Sequence, residues 1–361
     1  MEAAADDIAL SRLTEKSRLC YHLNQIPSES RILEGFMDLS TTYMGMELRN
    51  PVIIGSCGFT SSVDSIRRLE DRGAGAVVLK SIFEEQILNE AGELHQGSPG
   101  HSEAADLITQ YTRRHSLSEY LRLIRESREK TDIPIIASIN CISASEWTDY
   151  ARQIEQAGAH ALELNLFVLP ADTRQDGEDV EKIYFDIVNQ VTAQVIIPVA
   201  LKISPYFSGL ANAAFNLSLR NIAALVLFNR FYNPDIDISE MKVIKGEITS
   251  TPSENAMVLR WIALLAGRVR CDLAATTGIH DGAAVIKNLL AGAAAVQIAS
   301  AVYKQGPEVI TSMLADIRQW MEKTGLERLR DAIGRLSHKR IDSPQLYERA
   351  QFMKYFAGAE D

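Results

Sequence analysis

Short apolar runs alternate with longer amphipathic stretches along most of the chain. The apolar runs have the length of buried strands, and the stretches between them repeat with the period of a helix. Strands are predicted at residues 51–56, 76–80, 134–140, 161–165, 198–204, 224–229, 271–277 and 294–300. Helices are predicted near residues 62–72, 116–130, 143–157, 179–194, 208–220, 254–268, 282–291 and 307–323.

A recurring phrase joins several of these elements. It reads RGAGAVVLK at 72–80, AGAHALELN at 157–165 and AGAAAVQIAS at 291–300, with a looser copy, IAALVLFN, at 222–229. Each copy is typical of a helix end, a glycine stop and a short buried strand. The chain is therefore predicted to consist of repeated βα units.

Repeated βα units can close into a barrel or spread into a doubly wound sheet. A dinucleotide-binding sheet normally has a G-x-G-x-x-G turn after its first strand, and the turn here reads GSCGFTSS. The number of strands and the span from residue 51 to 306 both suit a barrel of roughly 250 residues. The predicted fold class is α/β, as a (β/α)8 TIM barrel.

The barrel is predicted to occupy residues 37–323. Residues 1–36 form an N-terminal extension that could be disordered, and residues 324–361 form a charged, helical C-terminal tail. The segment that begins at Met37 is predicted to be a short hairpin leading into the first strand. The connection from Ser81 to Ser116 is unusually long for this fold, and we interpret it as a candidate lid.

Composition narrows the range of ligands. The 361 residues are 46% hydrophobic and 23% charged, which is typical of a globular protein, and the net charge is -10. A negative chain disfavours nucleic acid and anionic membranes as partners, so a small-molecule substrate is expected.

The four cysteines are far apart and predict neither disulfides nor a metal site. No signal peptide or membrane span is apparent, and a cytoplasmic location is expected.

Polar residues stand where the predicted strands end, which is where barrel enzymes carry their chemistry. They include two lysines and three asparagines, at Lys80, Lys202, Asn140, Asn165 and Asn229. Each one alone could simply cap a strand or bind loop backbone. Together they suit a flat heteroaromatic ligand with several carbonyls and ring nitrogens, such as a flavin.

The loops after the last two strands are the usual phosphate site of this fold. The segment TTGIHDG offers Thr277 and Gly278, and the eighth strand ends in Ala299 and Ser300. Small residues let backbone N–H groups approach a phosphate closely. A phosphate is therefore expected beside Lys202.

In order and spacing, these motifs resemble the dihydroorotate dehydrogenases of the soluble, FMN-containing class 1 type. The likeness runs from about residue 37 to 306. It depends on LRNPVIIGSCG, GAGAVVLKS, the LELN strand end, PVALKISPY, the strand ending in Asn229, and TTGIHDGAAVIKNLLAGAAAVQIASAV.

The resemblance implies roles for these residues. Ser56 would face the flavin ring, Lys80 would lie between flavin and substrate, and Ser81 would bind the ring. Lys202 would be the catalytic residue, because its positive charge at the N1 edge stabilises reduced flavin. The remaining contacts to FMN or substrate would come from Asn165, Asn229, Thr277, Gly278, Ala299 and Ser300.

The sequence departs from that family at three places. The loop after the fourth strand, N-L-S-C-P-N in the family, reads N-L-F-V-L-P here, so Val168 or Leu169 replaces the cysteine that removes the substrate proton. The substrate loop after the second strand is acidic and unlike the family's. Ser253-Glu254 replaces a glycine-containing phosphate loop. Other candidate bases are His95, His101 and Asp172.

The resemblance implies an FMN-dependent dehydrogenase that acts on CH–CH bonds, oxidising dihydroorotate or a related dihydropyrimidine, and a homodimer. Loss of a positioned base typically costs about 10²- to 10⁴-fold in rate, which disfavours efficient oxidation of dihydroorotate. Two alternatives stay open: a flavin-binding protein without turnover, and an aldolase in which Lys202 forms a Schiff base.

Overall fold

A computed structural model describes residues 37–83, 102–140, 144–166, 168–231 and 233–349, with backbone alone at 102–115 and 144–147. Several predictions fall outside these ranges: the extension over residues 1–36, residues 84–101 of the candidate lid, and the candidate bases His95 and His101.

Eight parallel strands close into a barrel. Their bounds are β3 (Val52–Ile54), β4 (Ala76–Val78), β6 (Ile135–Asn140), β7 (Ala161–Asn165), β8 (Val199–Ile203), β9 (Ala224–Leu227), β12 (Asp272–Thr276) and β13 (Ala295–Ile298). Each strand pairs with the next, β13 pairs with β3, and pairing of β4 with β6 completes the ring. A short strand, β5 (Ile82–Phe83), extends the β4 side by pairing with β6. All eight predicted strands and the predicted (β/α)8 barrel are confirmed.

Helices alternate with the strands. They are α1 (Val63–Asp71), α2 (Ser102–Lys130), α3 (Ala144–Gln156), α4 (Gly177–Thr192), α5 (Leu210–Ser218), α6 (Asn255–Leu265), α7 (Gly282–Ala291), α8 (Ser300–Gln305), α9 (Glu308–Thr324) and α10 (Gln345–Glu348). The prediction of a loop from Ser81 to Ser116 is wrong in its second half, because α2 begins at Ser102. Ala104, Leu107, Ile108 and Tyr111 stand at helical spacing, so the sequence carried a signal for this part of the helix that the prediction missed.

A short antiparallel hairpin closes the amino-terminal end of the barrel, as the sequence predicts. Its strands are β1 (Thr41–Tyr43) and β2 (Met46–Leu48), joined at Met44-Gly45, where both residues adopt positive φ. Tyr43, Met44 and Leu48 pack against inward side chains of the strands, most of which are alanines. The Met44 N–H also donates to Asp272 Oδ2 at 2.8 Å, which ties the hairpin to the start of β12.

A second hairpin was not predicted. Its strands are β10 (Pro234–Asp237) and β11 (Lys242–Lys245), which lie in the long connection between β9 and α6. Ile236 and Val243 are opposite each other across it, and both are largely exposed, at 64% and 72%. The prediction failed because each strand has only four residues, and two of the four are Asp in the first strand and Lys in the second.

The segment after α9 returns to the barrel. Arg328 forms a parallel bridge with Asp38, and Leu329 N–H donates to the Asp38 carbonyl at 2.8 Å. Farther along, the Gly334 and His338 N–H groups donate to carbonyls of α7 and α6. The boundaries of the extension, barrel and tail stay predictions. Within the described ranges, no helix is long and apolar enough to cross a membrane.

We expect Leu48→Ala to destabilise the barrel, because Leu48 is fully buried in the floor formed by the hairpin. Removal of a buried leucine side chain typically costs about 2–5 kcal/mol in the free energy of unfolding. Urea unfolding followed by circular dichroism measures this. The exposed Thr42→Ala on the same hairpin serves as the control and should change stability by less than about 0.5 kcal/mol. Equal effects of the two substitutions would contradict the role of the hairpin as a packed floor.

Candidate functional site

Most of the polar residues expected at the strand ends meet at the carboxyl-terminal mouth of the barrel. Asn165 and Lys202 are neighbours in register, at the ends of β7 and β8. Asn229 follows β9, and its side-chain Nδ2 donates to Asn165 Oδ1 at 2.8 Å. Asn165 is buried, so this amide pair forms a fixed polar platform beside Lys202.

A cavity of about 140 Å³ opens beside this platform. It brings together six residues that the sequence nominated: Lys202, Asn229, Thr277, Gly278, Ala299 and Ser300. A neighbouring cavity of about 360 Å³ shares Asn229 and Thr277 with it and adds the aromatic side chains of Tyr206 and Phe231. The mouth therefore has a small polar end and a larger, more apolar part.

The backbone at the polar end has an unusual conformation. Thr277 and Gly278 both have positive φ, at 78° and 74°. Consecutive residues of this kind can turn their N–H groups toward an anion. A Cβ on Gly278 would lie 2.3 Å from the Asn255 backbone nitrogen, so only glycine fits there. The Thr277 side chain is fixed by donating to the Phe228 carbonyl at 3.1 Å.

Ser250, which the sequence analysis did not single out, forms several hydrogen bonds at the polar end of this cavity. Its Oγ accepts from the Gly278 N–H at 3.2 Å and lies 3.1 Å from His280 Nε2, while its own N–H donates to Ser300 Oγ at 2.9 Å. Lys304 Nζ donates to the Ser250 carbonyl at 3.0 Å. Burial, reinforced by the charge of Lys304, lowers the pKa of His280, which favours its neutral form. Lys304 thus adds a cation beside this end.

A carboxylate and an amide inside the barrel were also missed. Glu163 of β7 and Gln297 of β13 are each 1% exposed, and Gln297 Nε2 donates to Glu163 Oε2 at 2.5 Å. Lys202 Nζ donates to Gln297 Oε1 at 3.3 Å and lies 4.0 Å from Glu163 Oε1. The signal was available, because Glu and Gln each interrupt an otherwise apolar strand at an inward position.

Ser56, Lys80 and Ser81 lie on the other side of the mouth. Ser56 Oγ accepts from the Ser81 N–H at 2.8 Å, and Ser81 Oγ is 2.7 Å from Ser138 Oγ. Lys80 is exposed and lines, together with Ser81, a different cavity of about 590 Å³. This cavity shares no lining residue with the cavity at Lys202. The structure therefore joins Ser56 to Ser81 but does not bring Lys80 next to Lys202.

At Leu166, Val168 and Leu169, the loop after β7 carries apolar side chains that cannot accept a proton. Leu166 is buried, Leu169 is exposed, and the Val168 N–H donates to the Tyr184 hydroxyl at 2.9 Å. Asp172, one of the candidate bases, forms an ion pair with Arg174 at 2.8 Å. Hydrogen bonds from Arg174 lower the pKa of Asp172, which makes this carboxylate a weaker base.

The departure at Ser253-Glu254 brings a negative charge to the mouth, and the charge is paired. Glu254 Oε2 accepts from Arg230 Nε at 2.8 Å, and Glu254 Oε1 accepts from the Thr251 N–H at 2.7 Å. Arg230 also donates to the carbonyls of Glu247 and Ile248. Because Arg230 balances Glu254, this segment does not make the polar end of the cavity negative.

The chemistry of these donors fits a flavin phosphate. The small cavity is lined by Lys202 and Arg230, by the Ser300 hydroxyl and by the positive-φ pair at Thr277 and Gly278. One of the backbone donors, the Gly278 N–H, is already used by Ser250. Among the described residues, no cluster of His, Cys, Asp and Glu could hold a metal ion.

Comparison with known proteins gives a consistent result. Residues 38–321 match the family model described as dihydroorotate dehydrogenase. The chain is 26% identical over 309 residues to the catalytic subunit of dihydroorotate dehydrogenase B (NAD(+)) of Thermoplasma volcanium, covering 82% of this chain and 98% of that one. It is 27% identical over 304 residues to a putative dihydroorotate dehydrogenase A (fumarate) of Aeropyrum pernix, covering 82% and 97%.

The match covers the whole barrel, and the resemblance inferred from the strand-end motifs is confirmed. The chain belongs to the dihydroorotate dehydrogenase family, whose members are flavin-dependent oxidoreductases that act on CH–CH bonds.

Proposed function

We propose that the protein is an FMN-dependent oxidoreductase that oxidises a dihydropyrimidine-like compound, with FMN held at the mouth of the barrel. The observation that carries this proposal is the single cavity where Lys202 meets Asn229, Thr277, Gly278 and Ser300. Its size, about 140 Å³, suits a phosphate with a few waters, and the adjoining cavity offers room for a larger ligand.

In this proposal each group has a defined task. The phosphate would bind the Ala299 backbone and the backbone and hydroxyl of Ser300, next to the Lys304 ammonium. Gly278 would shape the loop beside it, since its own N–H donates to Ser250 Oγ. Lys202 would hold its positive charge at the N1 edge of the ring, while Asn165 and Asn229 would bind ring or substrate through their amides. When bound, FMN supplies a hydride acceptor.

Ser56, Lys80 and Ser81 complete the proposal. The linked hydroxyls of Ser56 and Ser81 would contact the opposite side of the ring, where Ser138 fixes the orientation of Ser81. Lys80 would approach the substrate from the 590 Å³ cavity. Its exposed ammonium can move, since a lysine side chain has four rotatable bonds.

The substrate is proposed to differ from dihydroorotate in how readily it loses its proton. By the resemblance, Val168 or Leu169 stands where the family has its cysteine base, and the Tyr184 hydroxyl accepts a hydrogen bond from the Val168 N–H of this loop. An apolar loop excludes water but accepts no proton. A compound whose CH is more acidic, or an activated double bond reduced by FMN, fits this site better.

One rival activity can be separated experimentally. A Schiff-base aldolase needs the Lys202 amine to be uncharged and free to attack a carbonyl. Here Lys202 Nζ donates to Gln297 Oε1 and lies 4.0 Å from the Glu163 carboxylate, so these contacts hold its side chain instead of leaving it free to attack. The other alternative, a flavin protein without turnover, has the same donor set and differs only in kinetics.

We further propose that the protein forms a homodimer through the face of the second hairpin that carries Ile236 and Val243. The neighbouring Ile238 and Met241 are each 88% exposed, so the apolar patch is contiguous along the hairpin. Contiguous exposed apolar patches commonly mark protein–protein interfaces. The expected cytoplasmic location stays a prediction.

For the cofactor, we expect the purified protein to carry FMN and Gly278→Ala to lose it. The added Cβ would collide with the Asn255 backbone and displace the loop expected to hold the phosphate. Gly325→Ala is the matched control, because Gly325 has a similar φ of 67° and open space around it. The flavin absorbance per protein chain measures the effect. A wild-type protein that binds no FMN, even when FMN is supplied, would overturn the proposal and favour the aldolase.

For the reaction, we expect dihydroorotate to reduce the flavin of the wild-type protein slowly and Val168→Cys or Leu169→Cys to accelerate the reduction. Restoring a thiol to this loop provides the missing base, so a gain on the order of 10²- to 10⁴-fold is expected. Anaerobic bleaching of the flavin absorbance gives the rate, and Val168→Ala controls for the change in size.

Fast bleaching by the wild type would instead mean that another base serves dihydroorotate. No reduction by any dihydropyrimidine or nicotinamide donor, in wild type and variants, would favour the flavin protein without turnover.

For the assembly, we expect sedimentation to give a dimer for the wild type and a monomer for the double substitution Ile236→Lys and Val243→Lys. Two charges in the centre of an apolar interface remain unpaired after association and oppose it strongly. Ile196→Lys is the control, because Ile196 is 95% exposed and far from the hairpin in sequence. A wild-type monomer, or dimers for all three proteins, would disprove this interface.

A further inference from the structure

The proposed binding of FMN and substrate leaves Glu163 unused, although it is a buried carboxylate in the centre of the barrel. Its side chain is 1% exposed. Glu163 Oε2 accepts a hydrogen bond from Gln297, while Oε1 has no hydrogen-bond partner among the described residues. Burying a carboxylate is costly unless its charge is paired, so its presence requires an explanation.

Lys202 provides that explanation. Its Nζ lies 4.0 Å from Glu163 Oε1, and its side chain is 12% exposed. The two residues lie on adjacent strands, β7 and β8, and both point into the barrel. A partly exposed cation and a buried anion at this distance attract each other, because little water lies between them to screen the two charges.

Gln297 connects the two charged groups from the opposite wall of the barrel. Its Nε2 donates to Glu163 and its Oε1 accepts from Lys202 at 3.3 Å. The amide can make both bonds in only one orientation. Glu163 therefore fixes the orientation of Gln297, and Gln297 fixes the position of the Lys202 ammonium.

We propose that Glu163 is a positioning residue that acts through Gln297 and Lys202, and that its charge sets how strongly the site prefers reduced over oxidised flavin. Lys202 alone would favour the reduced, more negative flavin, and the carboxylate behind it offsets part of that charge. The pairing of Glu163 with Lys202 stands on the contacts alone, while the effect on flavin rests on the proposed function.

The first experiment tests the pairing without flavin, by urea unfolding of the apoprotein. The variants are Glu163→Gln, Lys202→Met and the double variant. Each single variant leaves one buried charge unpaired, so we expect its unfolding equilibrium constant to rise on the order of a hundredfold. The double variant should be at least tenfold more stable than the product of the two single effects implies. Additive effects would overturn the pairing.

The second experiment measures the affinities of the protein for oxidised FMN and for FMN reduced under anaerobic conditions. Glu163→Gln keeps the shape and the bond to Gln297 but removes the charge. We expect it to raise the affinity for reduced relative to oxidised FMN on the order of tenfold. Lys202→Met should shift the ratio in the opposite direction.

Two controls separate charge from mere structure. Glu163→Asp keeps the charge and should leave the ratio within about threefold of the wild-type value. Asp272→Asn removes a partly buried carboxylate at the other end of the barrel and should leave the ratio unchanged. An unchanged ratio in Glu163→Gln would overturn the effect on flavin. Failure of the wild type to bind FMN in either state would overturn that effect and the proposed function together, and the apoprotein result would still decide the pairing.

Discussion

The pairing of opposite charges inside a closed barrel is the constraint on which this site depends. Eight strands turn alternate side chains inward, and near the carboxyl-terminal end those side chains become polar. A lone lysine could not remain charged there without great cost. Glu163 and Gln297 offset the cost of placing Lys202 in the barrel. Their contacts with Lys202 connect three strands, β7, β8 and β13, near the mouth.

The fold could be predicted from the sequence because its evidence is repetitive. Three helix-to-strand joints carry the same glycine and apolar run, and a fourth repeats the apolar run. An error in assigning one joint therefore does not change the prediction, because the others still support it. Where a feature occurs once, prediction was weaker. The hairpin at Pro234–Asp237 and Lys242–Lys245 has only four residues per strand, and the apolar positions of the first half of α2 keep the helical period only over residues 104–111.

The residues of the candidate site also fall into those that the sequence could predict and those that it could not. Residues that terminate strands could be nominated, because the barrel places every strand end at one mouth. Glu163 and Gln297 were not predicted, because they lie inside the strands and not at the strand ends. The hydrogen bond that makes them relevant to the site joins residues 134 positions apart in the sequence. Ser250 was missed because it lies in a connection whose path depends on Gly278 and His280. Contacts between residues that are distant in sequence produce no local pattern from which a single sequence could predict them.

Thr277 carries one last consequence. A β-branched residue at φ 78° is backbone under tension, and glycine would occupy that position with less strain. The threonine is retained with its hydroxyl bound to the Phe228 carbonyl, at the wall of the polar cavity. Glycine at this position would relieve backbone strain but remove the hydroxyl that fixes the cavity wall, so the stability of the loop and the shape of the cavity favour different residues here.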